Sequence, residues 1–125
     1  MNYGSKVLCP LLFGSLLLNA DAAFAKRAAP EPVAPVSYNG ITYSAPNRNG
    51  RASYVVASDS TGKELFRIKI FDTQINPNLE EDVQWVFITD LRISGGSLVV
   101  RDEKRRCYEV NFDTKTVRRK HCSLF

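Results

Sequence analysis

The chain has 125 residues, with 17 Lys+Arg against 13 Asp+Glu, a single histidine and three cysteines. That length gives one small domain with a modest core, and a net charge of +4 gives only a mild pull on anionic partners. One histidine and so few cysteines exclude a Cys/His zinc site, and no glycine-rich phosphate loop or calcium-loop spacing is present.

Residues 1–25 read as a cleaved signal peptide. Lys6 supplies a positive charge, Val7 to Leu18 is almost wholly apolar, and Ala23-Phe24-Ala25 gives the small-x-small cleavage pattern. The apolar run is about a dozen residues and is interrupted by Pro10 and Gly14, too short for a membrane anchor. Leu8 before Cys9, with the apolar run following, departs from a lipidated cysteine. The expectation is export to a bacterial periplasm or secretion, with no transmembrane segment left after cleavage. No Asn-x-Ser/Thr glycan acceptor occurs.

Residues 26–35 (KRAAPEPVAP) form an Ala/Pro-rich linker, expected to be stiff, extended and hydrated. The β domain spans 36–125. Asn39-Gly40 between β-favouring residues predicts a two-residue hairpin. Ala52 to Ala57 reads as a strand, Asp59 to Gly62 as a turn, and Glu64 to Phe71 as a strand with Phe66, Ile68 and Ile70 alternating against Arg67 and Lys69. Asn76-Pro77 followed by Glu80-Glu81-Asp82 carries a helix-start pattern, predicting a short helix near residues 77–84.

Trp85 to Ile93 returns to β-type composition. A turn at Gly95-Gly96 makes paired positions sum to 191: Ile93 then faces Leu98, Leu91 faces Val100, and Asp90 faces Arg101. The last hairpin, Arg106 to Phe112 and Val117 to Cys122, is centred between Thr114 and Lys115, so that pairs sum to 229. Tyr108, Val110, Phe112 and Val117 then share a face. On the other face Glu109 meets Lys120, Asn111 meets Arg118, and Cys107 meets Cys122. Opposed residues of an antiparallel pair are close enough for a disulfide.

These elements predict a mostly-β fold: a single antiparallel sandwich or partly open barrel of seven or eight short strands with one short helix. The expected core is Val56, Phe66, Ile68, Ile70, Val86, Ile88, Leu91, Ile93, Leu98, Val100, Val110 and Phe112.

Two stretches resemble repeats of quinoprotein-type β-propellers: Tyr54 to Phe66 (YVVASDSTGKELF), and Gly96 to Val100 continued by Cys107 to Thr116 (CYEVNFDTKT). Both look like strand, Asp-x-x-Thr-Gly-like turn, strand. Phe66 stands where those repeats usually carry tryptophan, no glycine follows Thr116, and the length supplies two blades at most. The resemblance implies a hairpin architecture. It does not extend to the ring, the quinone or dehydrogenase activity.

No catalytic constellation stands out. His121 lacks an obvious nucleophile and orienting partner. Lys104, Arg105, Arg106, Arg118, Arg119 and Lys120 fall on one hairpin and form a basic band. Its ordinary role is to guard a sheet edge; its functional role is contact with an acidic protein or polyanion. Few aromatics interleave with the band, which disfavours single-stranded nucleic acid. The expectation is an exported, non-catalytic binding or accessory protein without cofactor, an enzyme inhibitor being one such role. The alternatives are a small secreted hydrolase using His121 and a structural envelope component.

Overall fold

The computed structural model describes residues 28–123. The signal-like segment 1–25 lies outside the described residues. Eight strands follow in chain order: β1 (Val36–Tyr38), β2 (Ile41–Ser44), β3 (Ala52–Ser58), β4 (Glu64–Asp72), β5 (Ile88–Ser94), β6 (Ser97–Asp102), β7 (Cys107–Asn111) and β8 (Val117–Lys120). They form two four-stranded antiparallel sheets, ordered β1-β2-β3-β4 and β5-β6-β7-β8. Each sheet is a meander of sequence neighbours, so every pairing needs only a short connection.

The two sheets share one core. Tyr43, Val55, Ala57, Ile68 and Ile70 of the first pack with Ile88, Leu91, Leu98, Val100, Tyr108 and Val110 of the second. The fold is therefore a β sandwich of eight strands. Sheet-on-sheet packing requires each strand to alternate, and β3 does so residue by residue, with Ser53, Val55 and Ala57 inward. Aromatic rings bridge the layers: Phe71 stacks on Tyr108 at 5.2 Å, and Tyr38 on Phe112 at 4.1 Å.

The glycine hairpins behave as the sequence predicts. Gly95 (φ +56°) and Gly96 (φ +79°) close β5–β6 in the left-handed conformation that a two-residue turn requires. Ile93 pairs with Leu98, Leu91 with Val100 and Asp90 with Arg101. Asn39 and Gly40 make the equivalent turn between β1 and β2.

Three expectations change. Val56 points outward opposite Arg67, while Val55 takes the core position opposite Ile68. The register shifts at both ends of the β3–β4 ladder fall on β4, at Leu65 and Ile70, and leave the β3 alternation unbroken. The helix near 77–84 shrinks to one 3₁₀ turn at Asp82–Gln84. Asn76 caps a tight turn through its Oδ1 to the Asn78 N–H (2.9 Å). The Gln84 amide donates to the Asn76 and Glu80 carbonyls (3.0 and 2.8 Å). A side chain thus takes up carbonyls that a longer helix would have bonded internally.

The third change concerns the linker. Residues 28–35 have no helix or strand, but Pro30 and Val33 are half-buried, and Val33 packs against the core.

Gly50 joins the two layers at one end. A Cβ there would lie 2.3 Å from Trp85 Cβ, so no larger residue fits without movement. Its carbonyl accepts from Thr73 Oγ1 (2.6 Å) and Val86 N–H (3.3 Å).

Candidate functional site: a basic depression at the cysteine hairpin

The β7–β8 register differs from the sequence reading. Pairs sum to 227, so Cys107 faces Lys120, Glu109 faces Arg118 and Val110 faces Val117. Asn111 causes the change. Its N–H donates to the Thr116 carbonyl (3.0 Å), and its Oδ1 accepts from Asp113 and Thr114 N–H (2.8 and 3.0 Å). Lys115 takes a left-handed φ of +61° and donates to the Asn111 carbonyl (2.8 Å). The turn therefore centres one residue earlier, moving every partner by two and leaving the faces unchanged.

Cys122 lies beyond the end of β8, where Ser123 N–H bonds back to the His121 carbonyl (3.0 Å). That local turn brings Cys122 diagonally to Cys107. The two sulfurs lie at disulfide-bonding distance, with Cα atoms 5.3 Å apart. Cys107 is wholly buried and Cys122 half-buried.

The β6–β7 turn forms the opposite wall, organised by Asp102, which is only 1% exposed. Its Oδ1 accepts from Lys104 and Arg106 N–H (2.8 and 3.0 Å), and its Oδ2 from Arg106 Nε (2.7 Å) and Tyr108 OH (3.0 Å). A buried carboxylate with every bond made is a fixed strut. Burial first, and then the Asp102 carboxylate, push the Tyr108 hydroxyl up to about 12, so it stays a proton donor. Arg105 sits at the turn tip with φ +62°.

Between these walls lies an open depression of about 450 Å³, lined by Arg105, Arg106, Cys107, Arg119, Lys120, His121 and Cys122. Its cations differ in how far they are committed elsewhere. Arg106 is held by Asp102, and Lys120 Nζ lies 3.5 Å from Glu109 Oε2. Arg119 stacks over the Tyr108 ring at 5.4 Å. No carboxylate among the described residues forms an ion pair with Arg105 or Arg119.

Of the six residues of the basic band, four line this depression. Arg118 instead lies on the outer face, paired with Glu109 at 2.6 Å. That bond holds the Glu109 carboxyl below its usual range. Lys104 faces a neighbouring crevice with Asp72, Thr73 and Trp85.

His121 lies at the rim beside these cations. It is exposed, and its ring makes no hydrogen bond among the described residues. No group of three or more His, Cys, Asp or Glu placed to hold a metal occurs among the described residues. Nor is any described helix long and apolar enough to cross a membrane.

Sequence reasoning missed Asp102, because only the aspartate and a basic fifth residue link its turn to the Asp59 turn in sequence. Asp59-Ser60-Thr61-Gly62-Lys63 and Asp102-Glu103-Lys104-Arg105-Arg106 follow the same plan. In each, the aspartate N–H bonds the fifth residue's carbonyl, and its carbonyl accepts from the fourth N–H. In each, Oδ1 accepts from the third and fifth N–H groups.

No protein-family model, curated protein or solved structure matches this chain.

Proposed function

We propose that this chain is an exported, non-catalytic binding protein that recognises an acidic macromolecular partner through the depression between Arg105 and Arg119. One observation carries the reading: two arginines without an internal carboxylate face a shared open surface beside the paired cysteines. Guanidinium groups suit carboxylate, sulfate and phosphate oxygens because their planar donors bind two acceptors at once. The depression is open rather than enclosed, which suits a surface of another macromolecule better than a small ligand. An accessory or inhibitory role follows from binding without chemistry. Export to an oxidising compartment accords with a cysteine pair held together.

The test uses the double charge reversal R105E/R119E. Neither side chain forms an ion pair within the described protein, and loss of the Arg119–Tyr108 stacking should cost only about 0.5–1 kcal/mol of stability. Binding is read on immobilised sulfated polysaccharide and on immobilised polyglutamate across a salt series. The unmodified protein is retained on at least one of them and released as salt rises. The variant loses about tenfold or more in affinity. Equal retention of variant and unmodified protein would overturn the reading. Mass determination of protein recovered from the envelope fraction should place its first residue at Lys26; a chain still carrying residues 1–25 would overturn cleavage.

A further inference from the structure

The two paired cysteines meet solvent unequally. Cys107 is 0% exposed, while Cys122 is half-buried on the open side of the depression. In thiol–disulfide exchange a thiolate approaches one sulfur along the S–S axis, from the side opposite the other sulfur. Attack on Cys107 would have to come through the packing around β7. Attack on Cys122 comes from the side away from Cys107, where the depression opens. Access therefore makes Cys122 the attacked sulfur and Cys107 the leaving one.

The chain at Cys122 can follow such a step. β8 ends at Lys120, and Ser123 N–H bonds within the segment beyond it, to the His121 carbonyl. Among the described residues, residues 121–123 are bonded to the domain through the bridge and through a contact of Cys122 Sγ with the Arg105 carbonyl oxygen (3.2 Å). None of the three belongs to the core cluster. Opening the bridge at Cys122 frees this segment without parting a strand pair.

The charge beside Cys122 has one sign. Four cations line the depression with the two cysteines, and no Asp or Glu side chain does. Asp102 and Glu109 offset Arg106 and Lys120, which leaves the charges of Arg105 and Arg119 uncompensated. A field of this kind concentrates anions and speeds their encounter by about 10- to 1,000-fold. A thiol that carries carboxylates is drawn in, and one that carries an ammonium group is repelled. Electropositive, partly exposed surroundings are those in which cysteine sulfur exchanges readily.

We propose that Cys122 is a site of reversible attachment for acidic thiols, meaning thiols that carry carboxylates, with Cys107 as the sulfur that releases them. The incoming thiolate attacks Cys122 Sγ. A new S–S bond forms there, the Cys107–Cys122 bond breaks, and Cys107 leaves with the electron pair and takes a proton from water. The incoming sulfur is oxidised and the Cys107 sulfur reduced, so no further oxidant or reductant is needed. In the reverse step Cys107, as thiolate, attacks Cys122 Sγ, restores the bridge and expels the acidic thiol. The site shares Arg105 and Arg119 with the binding reading but needs no macromolecular partner, so adduct formation and retention on a polyanion can fail separately.

The test uses oxidised protein lacking residues 1–25, and with them Cys9. Mercaptosuccinate, 2-mercaptoethanol and cysteamine, which are negative, neutral and positive, are each added in excess at equal thiolate concentration. Samples are quenched in acid, and the adduct is located by peptide mass mapping. It should lie on Cys122, with an initial rate about tenfold or more higher for mercaptosuccinate than for cysteamine. That ratio should fall towards one as salt rises, and again in R105E/R119E. Removing the free thiol should return the bridge and release the adduct. No adduct, or adduct first on Cys107, overturns the site. So does a rate that climbs steeply with sub-denaturing urea, because the attack would then need the unfolded chain. Equal rates for the three thiols overturn selection by charge, and an adduct that outlasts removal of the free thiol overturns release by Cys107.

Discussion

The Asp59–Lys63 and Asp102–Arg106 turns share one hydrogen-bond plan but occupy different surroundings. At Asp59 the side chain caps a solvent-facing hairpin and also accepts from Thr61 Oγ1 (2.6 Å). At Asp102 the second oxygen reaches inward to Arg106 Nε and Tyr108 OH. Glycine supplies the left-handed residue of the first turn and Arg105 that of the second. A turn that only reverses the chain takes glycine without loss. In the second, a non-glycine residue puts a guanidinium at the tip, and the buried aspartate fixes the backbone behind it. The same local device is a connector in one place and the scaffold of a charged surface in the other.

The largest expected effect separates the two aspartates. Asp102→Ala leaves the Arg106 guanidinium, the Tyr108 hydroxyl and two backbone N–H groups without their acceptor. Urea denaturation should show a loss of about 3–4 kcal/mol. Asp59→Ala should cost clearly less, because water replaces the carboxylate at an exposed turn. Equal losses would remove the distinction.

The cysteines bear on the Asp102 side alone. Reduction, or Cys122→Ser, should cost about 3 kcal/mol, as expected for a bridge closing a loop of roughly 15 residues. Hydrogen exchange should accelerate in β7 and β8 first and leave β3 and β4 near their original protection. Two reactive thiols in the denatured, unreduced protein lacking residues 1–25 would show that no bridge forms.

Tyr108→Phe removes a single bond to Asp102 and should cost about 1 kcal/mol. It should also flatten an alkaline limb. The Tyr108 hydroxyl titrates near 10 in the unfolded chain and at about 12 in the folded one. Its contribution is whole below pH 10 and is lost as pH rises towards 12. Comparing the pH dependence of the variant and the unmodified protein isolates that contribution. A limb of equal depth in both would show that Tyr108 does not supply it.

The smallest effect lies at the acid end. Thr61 Oγ1 first, and then the Lys63 N–H, hold the Asp59 carboxyl below its ordinary value of 3.8. Its contribution is present above that pH and is lost as the pH falls further. Asp59→Asn should make the acid limb slightly shallower, measured by thermal melts below pH 4. An unchanged limb would mean that those bonds are too weakly held to matter.

The hairpins at Asn39-Gly40 and Gly95-Gly96 were legible because two left-handed residues in succession leave little choice of turn, and the turn dictates the register. The outward position of Val56 was not, since Val55 and Val56 are adjacent valines and either one suits the core side of a strand. The pairing of Cys107 with Cys122 was read correctly from a register two residues away from the real one. A shift of two preserves faces, and the chain beyond Lys120 bends to bring Cys122 across. Asn111 as a capping side chain was the missing piece. The basic band was visible as charge, but its division was not: Arg118 pairs outward with Glu109 while Arg119 faces Tyr108, and only the neighbouring strand decides this. The packing of Pro30 and Val33 was hidden because the leader was read as composition alone.

The contiguous order of the two meanders bears on how the chain reaches this structure. Strand pairing within each sheet is local, so hairpins can zip on the microsecond scale. Neither half can shelter its inner face by itself, and isolated hairpins are marginal in water. Productive folding therefore depends on one collision, in which the residue 36–72 half meets the residue 88–120 half. The segment between them, crossing under Gly50, keeps the two at high local concentration. A chain severed within residues 76–81 should consequently regain its native spectrum only when both fragments are mixed, with a rate that rises with their concentration.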